Sequence, residues 1–414
     1  MLIILMVAMI NVASNGCIEA TRVKDENYHM LLKPKGTVKT IESEDGRDVI
    51  DCVDIYKQPA FYHPLINDLQ VEPSSYPSGR KVDETLPEII QDWRKNGECP
   101  DGTIPIRRTK KYDPHRHFPI GLHGRNFNSS LDPDIHDGHE VKTSTNNRCL
   151  LEWVANESNL EIIFFFVCHS LREGGSYHGS QARINIWNPQ VEENEMSISQ
   201  MWVASNTQLE SVNTIEVGWI VLPERYGDHQ TRFFVYWTSD GYQTTGCYDL
   251  DCPGFVQMSK KFGVGSPIAP VSIYAEESFE ILVEIFQDVE TKNWLLLVQD
   301  ELIGYWPGNI FTTLANDADE LHWGGEIFDS KRNGHHTTTQ MGSGHFPNEG
   351  YKKSSYFHNI RMMDNLNYAW SEPANPQTYV TNPLCYDSQI APNRQGNAGT
   401  YFQYGGPGNS AQCP

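Results

Sequence analysis

Two glutamates stand in stretches where charge is costly: Glu216 within Thr214-Ile-Glu-Val-Gly-Trp-Ile-Val221, and Glu326 within Leu321-His-Trp-Gly-Gly-Glu-Ile-Phe328. Both stretches are otherwise apolar, aromatic and glycine-bearing, so a carboxylate there must be paired or used. Strand alternation puts Glu216 on a face with Thr214, Gly218 and Ile220, opposite Ile215, Val217, Trp219 and Val221. It puts Glu326 with His322, Gly324 and Phe328, opposite Leu321, Trp323, Gly325 and Ile327. A glycine beside each carboxylate leaves room for another backbone, such as a substrate peptide. Two carboxyls brought together cannot both ionise cheaply, so they share a proton; one becomes a base that activates water and the other an acid. Either glutamate alone would as readily occupy a solvated strand face. The repeated context singles them out.

Other chemistries find little support. Asp-Thr-Gly, Asp-Ser-Gly and the G-x-S-x-G elbow are absent from the sequence. His139-Glu140 lacks the second histidine of a zincin helix, and His115-Arg-His117 and His136-Asp-Gly-His139 read as solvated loop. His335, His336 and His345 also read as loop residues. The nine cysteines show no C-x-x-C pair, so the expectation is no metal and no other cofactor. A net charge of −21 argues against nucleic acid or an anionic membrane as the main partner.

The elements that must carry the two glutamates are strands. From about residue 150, segments at 160–168, 181–187, 197–203, 214–222, 231–238, 254–258, 270–274, 279–286, 293–299, 302–306 and 321–328 recur between turn clusters. They predict a mostly β chain with an antiparallel β-sandwich over 151–414, its core supplied by ten tryptophans and nineteen tyrosines. Gln340, Tyr236, Trp237, Trp219, Trp323 and Tyr305 are candidates for the wall of a cleft, or else for the sandwich core.

Ahead of the sandwich, a smaller α+β unit and a connector are expected over 21–150. Residues 21–51 read as extended or mobile, with order beginning near Cys52 at the alternating Asp51–Tyr56 segment. Leu86, Ile89, Ile90 and Trp93 recur at helical spacing behind a Thr85/Glu88 capping box, with Gly97 as the stop. Residues 109–148 form a proline-, histidine- and asparagine-rich connector. The apolar run at 1–12, followed by small residues, predicts a secretory signal over 1–20, and no other stretch reaches the roughly 18 apolar residues of a membrane helix. Without Cys17, eight cysteines remain for disulfides. Cys52 with Cys99, Cys247 with Cys252, and Cys385 with Cys413 are candidate pairs; Cys149 and Cys168 are left over. Asn128 and Asn156 head glycosylation sequons.

Several long segments resemble the neprosin family of secreted plant proteins. They include Ile50-Asp-Cys-Val-Asp-Ile-Tyr-Lys-Gln-Pro-Ala-Phe61, Cys99-Pro-Asp-Gly-Thr-Ile-Pro-Ile-Arg-Arg108, Tyr236-Trp-Thr-Ser-Asp-Gly-Tyr242 and Thr245-Gly-Cys-Tyr248. Gly304-Tyr-Trp-Pro307, Trp323-Gly-Gly-Glu326, Thr339-Gln-Met-Gly-Ser-Gly-His-Phe-Pro347 and Tyr404-Gly-Gly-Pro-Gly408 continue the match to the C-terminus. The resemblance implies an N-terminal activation domain, a jelly-roll-like glutamic-peptidase domain, and Glu216 and Glu326 as the catalytic pair. It further implies cleavage after proline, with proline-rich peptides or proteins as substrates and the chain's own activation domain as a partner. Val217 departs from the family, which has a small alanine there, and is expected to narrow that edge of the cleft. Two other functions fit paired glutamates on a sandwich: a glycoside hydrolase, and a non-catalytic extracellular binding module.

Overall fold

Alternating apolar residues build strands throughout the computed structural model, which describes residues 33–80, 88–109, 160–168, 176–205, 211–330, 335–364, 368–374, 376–390 and 399–414. Near the N-terminus, Thr37–Glu42 (β1), Val49–Asp54 (β2) and Thr103–Arg107 (β3) form an antiparallel sheet in that order. Cys52 of β2 is bonded to Cys99, closing a loop of 47 residues. A closure of that length is worth about 4 kcal/mol in the chain-entropy account. Thr37–Glu42 lies within the stretch expected to be extended, so order begins earlier than the alternation at Asp51 indicated.

The remaining strands in chain order are Leu160–Cys168 (β4), Tyr177–Asn185 (β5), Met196–Ser205 (β6), Asn213–Val221 (β7), Arg232–Thr238 (β8), Cys247–Tyr248 (β9) and Val256–Gln257 (β10). They continue with Glu280–Gln287 (β11), Trp294–Val298 (β12), Glu301–Trp306 (β13), Glu320–Phe328 (β14), Ser355–Asp364 (β15), Trp370–Ser371 (β16), Gln377–Val380 (β17), Asp387–Ile390 (β18) and Thr400–Gly405 (β19). Seven form one sheet, in the order β17-β4-β14-β6-β7-β8-β9; nine form a second, β10-β13-β12-β11-β5-β15-β19-β18 with β16 on β15. All the registered pairs between these strands are antiparallel.

The sheets share one core. Val217, Trp219, Phe233, Val235, Trp237, Leu321 and Trp323 of the first pack with Ile184, Val283, Leu296, Phe357 and Phe402 of the second. The other face of the seven-stranded sheet is covered as well: Ile198, Trp202, Ile220, Phe234 and Tyr236 pack with Tyr226, Tyr242 and Tyr248. Every residue of β7 is consequently buried.

Three local expectations are corrected. Residues 88–91 are not helical, because Ile90 and Ala269 exchange backbone hydrogen bonds of 2.8 and 3.0 Å, which draws the chain out straight. Only a short 3₁₀ turn, Asp92–Asn96, remains, with Trp93 buried and Gly97 at its end at φ 140°. The stretch 270–274 is no strand; it opens with Pro270, which has no N–H for a ladder. Strands β15, β18 and β19 extend the sheet beyond the last segment expected from alternation, since β15 is bulged between Phe357 and Ile360 and mixes charged with apolar residues.

The N-terminal segment docks on the sandwich through buried polar pairs. Gln257 N donates to Gln58 Oε1 at 2.8 Å, and Gln58 Nε2 returns a bond to Gln257 O at 3.1 Å. Gln91 and Gly263 exchange bonds of 2.8 and 2.7 Å in the same manner. Arg80 reaches Glu284 at 3.1 Å and Asp300 at 2.6 Å. The Arg232 guanidinium at the end of β8 is fully buried between Asp228 and Asp48, 3.0 Å from the latter's Oδ2. Among the described residues, none from 33 to 109 bonds to Glu216 or Glu326. Replacing Asp48 by alanine leaves a buried charge with one carboxylate fewer, which costs about 3 kcal/mol. Urea unfolding of Asp48→Ala should show that loss, whereas Asp101→Ala, whose partner Lys260 is exposed, should leave the midpoint unchanged.

Candidate functional site

Strand β6 runs between β7 and β14 and brings the two glutamates into one arrangement. Gln200 at its middle is opposite Gly218 of β7 and Gly324 of β14 at once. Glu216 is opposite Trp202, and Glu326 is opposite Ile198, so the two carboxyls occupy diagonal positions on either side of Gln200 and on the same face. Gly218 is required by backbone: a Cβ there would stand 2.0 Å from Ser199 O. The space beside Glu216 is therefore taken by β6 itself.

Gln200 Nε2 donates to Glu326 Oε2 at 3.2 Å. Glu216 Oε1 accepts from the Tyr242 hydroxyl at 2.7 Å and from Thr214 Oγ1 at 2.9 Å. Among the described residues, Glu216 Oε2, Glu326 Oε1 and Gln200 Oε1 are buried with no hydrogen-bond partner. Removal from water pushes the Glu216 carboxyl up to about 7, against the opposing pull of the Tyr242 and Thr214 hydrogen bonds and the nearby Gln200 amide, which favour its anion. Glu326 is held well above the usual carboxylate range by burial first and by the charge of Glu216 second. Both carboxyls are thus driven towards the protonated form, and a charge on Glu216 favours the proton on Glu326. Such a pair can take a proton at one oxygen and give one at another.

The family profile described as neprosin matches residues 193–407, and that described as the neprosin activation peptide matches residues 40–147. The chain belongs to the neprosin family. Loose similarities to solved structures accompany this. A scytalido-glutamic peptidase with a peptide-based transition-state analog and SCP-B, a member of the Eqolisin family of peptidases, each match at 9% identity and a TM-score of 0.33, over 60% of this chain and 98% of theirs. A beta-porphyranase from the human gut bacterium Bacteroides plebeius matches at 9% identity and 0.21, over 40% of this chain and 64% of its own. Superpositions as loose as these carry no argument about function.

In this neprosin-family chain, several of the candidates for the cleft wall lie elsewhere, the tryptophans in the core that was their alternative. Trp219, Trp237 and Trp323 point into the core between the sheets, as alternation opposite the glutamates requires. Val217 joins them and narrows no cleft edge. Tyr305 belongs to β13 of the other sheet, where its hydroxyl accepts from Gln70 N at 2.9 Å. Gln340 accepts from Gln190 N at 3.0 Å in a loop. Tyr236 alone of the six shares the carboxylate face, its ring 5.0 Å edge-on from Tyr248. Gln200, Tyr242, Trp202 and Tyr248 were not expected there. Alternation alone would have put Gln200 and Trp202 on one face of 197–203, but that this face is the carboxylate face depends on long-range pairing.

Cys247 is bonded to Cys252, and Cys385 to Cys413. Among the described residues, His336, Cys385 and Cys413 form a group of metal-type side chains, and its two thiols are tied up in the last of these disulfides. Cys149, Asn128, Asn156 and the histidines of the connector lie outside the described residues, as does the Cys168 side chain. No helix among the described residues is long and apolar enough to cross a membrane.

The raised carboxyls have a consequence for stability. A folded-state pKa above the unfolded value of 4.5 means that the folded chain keeps protons which the unfolded chain releases. The contribution is complete below 4.5 and is lost as pH rises through about 7, on the order of 3 kcal/mol for Glu216. In urea titrations at steps across that window, the wild type should lose more stability with rising pH than E216Q/E326Q. Equal slopes would contradict the assigned shifts.

Proposed function

We propose that the protein is the secreted zymogen of a glutamic endopeptidase that hydrolyses peptide bonds at acidic pH, with Glu216 and Glu326 as its acid/base pair. The observation that carries this reading is the placement of two buried carboxyls on either side of one amide, Gln200, on a single sheet face. Membership of a family with an activation peptide supports the zymogen. In this reading residues 1–20 are the signal, 21–150 the activation domain with its connector, and 151–414 the peptidase.

An extended peptide would lie across the carboxylate face once that face opens to water. Admitting water relieves the burial and brings both carboxyls down towards their usual range, so the pair shares one proton on the acid side of neutrality. The ionised member draws a proton from water as the water attacks the scissile carbonyl. The protonated member gives its proton to the forming oxyanion; the member that took a proton from water then passes it to the leaving amine, and the diol hydroxyl returns its proton to the first as the C–N bond breaks, with the Gln200 amide placed to hold the reacting oxygen. Each proton taken is returned, and the reaction consumes only water. Trp202, Tyr236 and Tyr248 offer ring faces on which a proline could stack, which supports cleavage after proline.

Glu216→Gln and Glu326→Gln should each lower turnover of a proline-containing peptide at acidic pH by at least about a thousandfold, since each removes one half of the proton transfer, while far-UV circular dichroism stays unchanged. Incubation of the wild type at acidic pH should shorten the chain by a cut in the connector. A folded variant that retains wild-type turnover, or hydrolysis of polysaccharide instead of peptide, would overturn the reading.

A further inference from the structure

Tyr242 is the most unusual residue around the two carboxyls. It belongs to no strand, it is buried, and its backbone is left-handed at φ 63°, next to Gly241 at φ 65°. A bulky side chain resists that conformation, and such strain persists only where the surroundings impose it. Here they do. Gly241 N donates to Val212 O at 2.9 Å, which ties the loop to the start of β7, and Tyr242 N donates to Thr238 Oγ1 at 3.1 Å. Asp240 closes the loop from within, accepting from Thr245 N at 3.0 Å and Thr245 Oγ1 at 2.7 Å. The product of this arrangement is one phenolic hydroxyl delivered 2.7 Å from Glu216 Oε1. Among the described residues no equivalent is delivered to Glu326, whose bond in this group comes from Gln200.

We propose that Tyr242 is a positioning residue that fixes Glu216 as the base and leaves Glu326 as the acid; this rests on the peptidase reading above. A hydroxyl held in this way can donate to the carboxylate, and with Thr214 it gives Glu216 Oε1 two donors. Donors to the charged form favour it. The remaining oxygen, Glu216 Oε2, is buried with no hydrogen-bond partner among the described residues, which leaves its lone pairs to a water once the face opens. The titratable groups facing Glu216 are Tyr242 from the loop, Tyr236 from β8, and Glu326 and His322 from β14 beyond β6, with Gln200 and Trp202 between. Apart from Tyr242, none of these groups donates a hydroxyl to Glu216.

The test is the pH profile of kcat/KM for activated wild type and Tyr242→Phe on one peptide. Loss of the phenolic donor makes the base harder to ionise, so the acidic limb should move up by about one pH unit, with kcat/KM about tenfold lower on the acid side and KM little changed. Thr214→Val should move the same limb in the same direction. The pH dependence of the urea midpoint reads the same group without activity, and there Tyr242→Phe should shift the transition upward relative to wild type. A uniform fall at all pH values, with an unmoved limb and an unmoved stability transition, would overturn the role of Tyr242 while leaving the pair intact. A limb that stays when Tyr242 is replaced but moves when Gln200→Leu is made would overturn it in favour of Gln200. Retention of activity by Glu216→Gln would instead overturn the peptidase reading and this inference with it.

Discussion

Two carboxyls removed from water in the same sheet are the constraint on which the rest of this molecule depends. An isolated charge so placed would be prohibitively costly, and the protein meets this by holding protons on the groups and by surrounding them with amide and hydroxyl donors. That arrangement needs three strands in fixed register, because Gln200 stands between the two carboxyls only if β6 pairs with β14 on one side and β7 on the other, with Gly324 and Gly218 opposite it. A slip of one residue would turn every one of these side chains into the apolar core. The aromatic core beneath, with Trp219 and Trp323 fully buried, holds the register.

Polar pairs of a different kind attach the N-terminal segment. Gln58 and Gln91 each form a reciprocal pair with backbone of the sandwich, and Asp48 completes the surroundings of a buried arginine. Contacts made of buried hydrogen bonds and ion pairs are specific in geometry, and breaking one partner leaves the other unsatisfied in a dry place. An activation segment held in this manner stays put as long as its partners are intact. Its described contacts include the β10 edge, the 258–269 loop, the outer face of the nine-stranded sheet, and Arg232 of β8 with the neighbouring Tyr226, and among the described residues none is a hydrogen bond to either carboxyl.

Much of the architecture was legible because strand periodicity is local. The strands holding Glu216 and Glu326 could be read to within a residue or two, and the faces of both followed from alternation. The same rule put Trp219 and Trp323 opposite the glutamates, which decides between the two places open to them in favour of the core. Gln200 was out of reach for another reason: nothing local says that β6 lies between β7 and β14, which are separated in sequence by more than ninety residues. Tyr242 was hidden by its left-handed backbone, which no propensity favours for tyrosine. The helix expected before Gly97 failed because Ile90 found a partner in Ala269, a long-range bond that outweighs a weak helical preference.

The central claim is that Glu216 and Glu326 form one proton-sharing unit, and the most direct measurement is a carboxyl-carbon NMR titration of the protein labelled at glutamate. Two side-chain resonances should titrate above the ordinary glutamate range, that of Glu216 near 7, and replacing Glu216 by glutamine should lower the midpoint of Glu326. Two resonances that titrate independently in the ordinary range would contradict the account.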